Sequence, residues 1–362
     1  MNKLSKVAVS SIAVLLGSAT LAACGSDSEG ETGAAAPPKS DFLPCIVSDA
    51  GGFDDKSFNQ LSYSGVEAAA SELNSDFKSV ESNADTDYAP NIQGLVDEGC
   101  EAIVTVGFAL SAATVESAKD NPDLDYILID DAADTDFDGT TDAKNIKPLL
   151  YNTAEAAFMA GYLAADYSTT GVVGTYGGAP YPTVTIFMDG FKQGVDYYNE
   201  AKDAAVKVVG WDGKDGSFTG GFENNNVAAE TAKGLLDQDV DVILPVGGPI
   251  YQAAVTAIAD SGKDIALVGV DADLYETDPS TQPYVLTSIL KKMDVSTQEA
   301  VIASGNGEFD PTPYIGTLDN GGVDIAPMHD FESKVSDTVM GELDEIRAAI
   351  ISGDIKVKSY LG

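Results

Sequence analysis

The stretch Ser48-Asp49-Ala50-Gly51-Gly52-Phe53-Asp54-Asp55-Lys56-Ser57-Phe58-Asn59-Gln60 decides the fold. It follows the apolar run Cys45-Ile46-Val47 and leads into Phe58, Leu61, Val66, Ala69 and Leu73, which recur on one face of a helix. This spacing predicts a strand, a glycine turn and a helix. The glycines admit backbone conformations that a Cβ resists, Asp54 or Asp55 can cap the helix, and the free N–H groups of its first turn lie beside Phe58 and Asn59. Open α/β sheets bind ligands at such corners, at the carboxyl ends of their strands.

The chain has 362 residues, too many for one ordinary core, and two domains are expected. Its hydrophobic content of 44% excludes a disordered chain. Lys3 and Lys6, an apolar stretch from Val7 to Ala19 and then Thr20-Leu21-Ala22-Ala23-Cys24 read as a secretory signal over residues 1–23, too short for a permanent membrane span. Small residues before a cysteine resemble the lipobox of bacterial lipoproteins, which makes Cys24 the expected lipidated amino terminus. Residues 24–40, rich in Gly, Ser, Ala and Pro, read as a tether that does not fold. A lipid-anchored body on the extracytoplasmic face of the membrane is expected.

The net charge is −38, and removal of Lys3 and Lys6 with the signal makes the mature chain more acidic still. Phosphate binding needs a basic face, so nucleic acid is excluded as a partner. In the mature chain Cys45 opens the first strand and Cys100 precedes the run Ala102-Ile103-Val104-Thr105-Val106. In a doubly wound sheet of order 2-1-3 these strands are neighbours, so a Cys45–Cys100 disulfide is geometrically possible, with two buried free thiols as the alternative.

From Leu43 to about Asn152 predicted strands and helices alternate, and after a helix from Thr153 to Asp166 the pattern restarts. Such alternation predicts parallel sheets covered on both faces, hence two α/β lobes with a cleft between them. Gly51-Gly52, the run from Asp54 to Gln60, Val106-Gly107-Phe108, Phe187-Met188-Asp189-Gly190-Phe191, the run from Val268 to Asp273 and Thr287-Ser288-Ile289-Leu290-Lys291 together resemble the basic membrane protein family. These are substrate-binding lipoproteins of ABC importers, and the likeness runs from about Pro44 to the end.

The resemblance implies a type I periplasmic-binding-protein fold, two doubly wound lobes joined by a three-crossing hinge. Crossings are expected near Asn152, near Thr287 and after Gly316, so residues 41–152 with 288–316 form one lobe and 153–287 with 317–362 the other. It further implies a monomer that takes a nucleoside and delivers it to an importer permease. By resemblance Asn59 reads the base, Phe187 stacks on it, and Asp271 with Lys291 holds the ribose. Phe58 and Phe108 join them at strand or hinge ends. Gly247-Gly248 either lets backbone approach the ligand or only turns the chain.

A sensor docking onto a receptor would use the same fold. Enzyme activity is not expected: Asp49, Asp54 and Asp55 are similar to the calcium-holding aspartates of nucleoside hydrolases, but Ala50 stands where that pattern wants an aspartate. The sole histidine, His329, has no nucleophile motif near it. No cofactor is implied, with one possible exception: Asp134, Asp136 and Asp138 before Gly139 match the first half of an EF-hand calcium loop, although its closing position is Asn145 rather than a bidentate glutamate. One departure from the family concerns the base. Where relatives place an aspartate after the Gly-Phe pair, this chain has Ala112, so an acceptor is expected to be missing there.

Overall fold

The computed structural model of the protein describes residues 39–361; the signal segment, Cys24 and the tether up to residue 38 lie outside them. The first lobe is built from β1 (Pro44–Val47), α1 (Phe58–Glu72), β2 (Lys78–Val80), α2 (Tyr88–Asp97), β3 (Ala102–Val106), α3 (Ser111–Asp120), β4 (Asp125–Ile129) and β5 (Ile146–Tyr151). The second follows as α4 (Thr153–Tyr167), β6 (Val172–Gly177), α5 (Pro182–Lys202), β7 (Lys207–Val209), α6 (Asn226–Leu236), β8 (Val242–Val246), α7 (Ile250–Ser261), β9 (Ala266–Asp271), α8 (Leu274–Thr277) and β10 (Val285–Lys291). The chain then returns through α9 (Met293–Gly305), β11 (Tyr314–Gly316), β12 (Val323–Ile325) and α10 (Val339–Ser352).

Each lobe carries a six-stranded sheet, ordered β11-β5-β4-β3-β1-β2 in the first and β12-β10-β9-β8-β6-β7 in the second. Pairing is parallel except for β10 with β12. Helices cover both faces of each sheet, which is why β1, β3, β8 and β9 are buried at every residue instead of alternating. The sulphurs of Cys45 and Cys100 are bonded, with Cα atoms 5.9 Å apart, tying the start of β1 to the approach of its neighbour β3.

The chain passes between the sheets at Asn152, at Lys292, and between Gly316 and Val323. The second crossing lies beyond the expected place near Thr287. Strand β10 stays hydrogen-bonded to β9 as far as Leu290 and to β12 as far as Lys291, so residues 288–291 belong to the second sheet. The crossings hold one another: Asn152 N donates to Gly316 O at 2.8 Å, and Lys292 N to Gly322 O at 3.0 Å. Glu155 bridges two of them, accepting from Asn152 Nδ2 at 2.9 Å and from Leu318 N at 2.8 Å. Burial pushes its carboxyl up, and these two bonds oppose that.

Helices α4 and α5 run side by side at backbone contact. A Cβ on Gly190 would stand 2.4 Å from Ala154 O, and one on Gly194 would stand 1.9 Å from Phe158 O. Tyr162 packs on Tyr198 with ring centroids 5.1 Å apart, which keeps the same offset, so the helices are parallel. The first two turns of α5 therefore run on past the start of α4, towards the cleft.

Candidate functional site

The quoted stretch folds as a tight corner organised by two carboxylates. Asp55 accepts the first amides of α1, from Ser57 N at 2.9 Å, Gln60 N at 3.1 Å and Asn59 N at 2.8 Å. It is the capping aspartate; Asp54 pairs with Lys56. Asn59 divides its amide between the carboxylates, donating to Asp49 at 2.8 Å and to Asp55 at 3.1 Å, while its oxygen accepts from Asp49 N at 3.2 Å. The corner is internally bonded, so in this conformation Asn59 locks the turn that presents Phe58. Burial raises Asp49 to about 6 against the bonds from Gly51 and Asn59, and burial likewise raises Asp55.

Opposite this corner, Lys291 ends β10. Its ammonium donates to Asp130 at 2.7 Å and lies 3.6 Å from Asp271, with all three side chains less than a tenth exposed. It also stands 5.3 Å from the Phe58 ring centre and 5.1 Å from that of Phe187, so rings from both lobes gather around one ammonium. Burial alone would push the ammonium down; Asp130 and Asp271 outweigh it and hold Lys291 above the ordinary lysine value, hence charged. Burial raises Asp271 to about 6, with Lys291 acting against it. Asp271 Oδ1 is buried without a hydrogen-bond partner, and Asp271 and Asp130 hold left-handed φ values of 68° and 67°. Asp271 thus presents, beside a cation and at a strained strand end, an acceptor oxygen without a hydrogen bond.

Across the cleft Ser57 Oγ donates to Val270 O at 3.1 Å. Near the mouth, Phe108 of the first lobe meets Tyr181 at 4.2 Å between ring centroids and Phe222 at 5.8 Å, both from the second. The lobes stand closed. Gly247, at φ 146°, lets the Phe222 ring lie against backbone, since a Cβ there would come within 2.7 Å of the ring. Gly248, beside it, meets nothing within 4 Å.

Ala112 is exposed in the first turn of α3, and Ser111 beside it donates to Asp131 at 2.6 Å. A carboxylate is thus supplied to this corner from the end of β4 rather than from α3. The acidic loop is only half of a calcium site. Asp134, Asp136 and Asp138 each bring an oxygen within 4.8 Å of the others. Asn145, however, spends its amide on the carbonyls of Ala118, Asn121 and Leu124, turned into the fold. Asp134 and Asp138 accept backbone amides of their own loop. His329 stacks on Tyr275 at 4.0 Å between centroids and bonds Asp273 at 2.8 Å.

Sequence reading missed Asp130, Tyr181 and Phe222. Asp130 carried a signal, standing directly after the apolar run that ends β4; the other two lie in connections without periodicity.

Residues 43–360 match the family model Bmp, described as ABC transporter substrate-binding protein PnrA-like. The chain belongs to the Bmp family. The ABC transporter nucleoside-binding protein BmpA of Lactococcus lactis is 27% identical, with 98% of each chain covered. Basic membrane protein D of Borreliella burgdorferi is also 27% identical, over 85% of each chain. A solved ABC transporter solute-binding protein from Aeropyrum pernix superposes with a TM-score of 0.77 at 25% identity, covering 89% of this chain and 94% of that one. As a Bmp member with the two-lobed type I periplasmic-binding fold, the protein is a transporter's substrate-binding component and not an enzyme. Among the described residues no helix is long and apolar enough to cross a membrane.

Proposed function

We propose that this Bmp protein is a lipid-anchored receptor on the extracytoplasmic face of the cell that closes on one nucleoside and passes it to an ABC importer. The observation that carries the reading is the cluster of rings and charges around Lys291. Phe58 and Phe187 offer aromatic faces from opposite lobes, and next to them Lys291 and the Asp271 oxygen that has no hydrogen bond offer a donor and an acceptor. A base fits the rings by stacking, and a ribose diol fits the ion pair, one hydroxyl donating to Asp271 and accepting from Lys291. The nucleoside-binding relative from Lactococcus supports the same ligand class. The anchor rests on Cys24 and the small residues before it.

Calorimetry of the mature body against ribonucleosides tests the proposal, together with mass spectrometry of any small molecule that copurifies. One site per chain and no hydrolysis product are expected. Absence of binding to every nucleoside would overturn it.

A further inference from the structure

We infer that Thr183, at the start of α5, is the second lobe's contact to the edge of the base; this rests on the nucleoside reading above. The stripe of α5 that packs on α4 through Gly190 and Gly194 continues towards the amino terminus as Phe187 and Thr183, one turn apart. Since α4 begins at Thr153, beside Gly190, it does not cover these two positions, and they face the cleft. Phe187 confirms the direction by standing 5.1 Å from the Lys291 ammonium. Tyr181, two residues before Thr183, closes on Phe108 of the opposite lobe. Along the helix Thr183 therefore lies one turn beyond Phe187, on the side of the Tyr181–Phe108 contact.

Its hydroxyl is unused. Thr183 is 8% exposed, and its Oγ1 has no hydrogen-bond partner. Some helical threonines satisfy themselves on the carbonyl four residues back, as Thr114 does on Leu110 at 2.8 Å and Thr231 on Val227 at 2.8 Å, while Thr153, Thr277 and Thr297 share the unpartnered state of Thr183. For Thr183 that residue is Ala179, ahead of the helix, so the route is closed. A buried hydroxyl without a partner costs stability unless something fills it, and a hydroxyl can both donate and accept. It suits a base whose polar edge offers either group, at a pocket where Ala112 offers none.

The test is calorimetry of wild type, Thr183→Val and Thr183→Ser against inosine, guanosine, adenosine, uridine and purine riboside, with melting of each ligand-free protein. Valine keeps the branched shape and removes the hydroxyl. It should weaken the best-bound nucleoside about tenfold or more and narrow its lead over the weakest by a similar factor. Serine should restore most of the loss. Ligand-free Thr183→Val should melt at or above wild type, because no bond is removed; a lower melting point would indicate a structural role and overturn the inference. Unchanged affinities and ranking in the valine variant, with wild type binding normally, would overturn it alone. If wild type binds none of the panel, the nucleoside reading itself falls, and this contact with it.

Discussion

Lys291 of the second lobe donates a 2.7 Å hydrogen bond to Asp130 of the first, so the cleft is joined at its floor by an ion pair withdrawn from water. Removing the cation leaves Asp130 and Asp271 buried without compensation. Lys291→Ala should therefore lose about 3 kcal/mol or more of stability. Nucleoside binding should go with it. Urea denaturation is the measurement, and adding Asp130→Asn to the variant should recover part of the loss, since it removes one stranded charge.

Asp271 makes binding and stability respond to pH in opposite directions. Its carboxyl is raised from 3.8 to about 6 in the fold, first by burial, so the folded chain holds this proton more tightly than the unfolded one. The stabilisation it contributes is present below pH 3.8 and is lost as pH rises through about 6. A ligand hydroxyl that donates to Asp271 needs the carboxylate, so affinity should fall as pH drops below about 6. Asp271→Asn, which tolerates the same left-handed backbone, should bind more weakly and flatten that profile; Asp49→Asn should leave the Asp271 step in place.

The Cys45–Cys100 bond closes a separation of 55 residues between two adjacent strands. On chain-entropy grounds it contributes about 4 kcal/mol. Thiol labelling of the denatured, unreduced mature body should find neither cysteine free, and reduction should lower the melting temperature. Full labelling of both would show that the bridge does not form.

Phe222 reaches Phe108 only because Gly178 and Gly247 let its ring lie on the second lobe's backbone. Phe222→Ala should loosen the closed state by about 1 kcal/mol, several-fold in affinity, and stopped-flow kinetics should place the change in ligand release. Gly247→Ala should behave similarly, because its Cβ would displace the ring. An unchanged release rate in both would remove this aromatic contact from the closing mechanism.

Much of the fold was legible because it is written locally. The run Cys45-Ile46-Val47, the glycine turn and the helical spacing from Phe58 specify a strand, a corner and a helix within a few residues, and their repetition specifies parallel sheets in two lobes. Asp271 and Lys291 stood out because each closes an apolar strand. Pairings between distant residues depended on tertiary structure. Asp130 meets Lys291 across 161 residues, and nothing in either segment records the other. Phe222 lies in a Gly- and Asn-rich connection where periodicity is silent, and its place is set by bare backbone at Gly178 and Gly247. The second crossing moved to Lys292 because β12, arriving from beyond the hinge, keeps β10 in the second sheet through Lys291. An unpaired hydroxyl such as that of Thr183 is likewise invisible in a sequence, since it is defined by which neighbours fail to reach it once the lobes close.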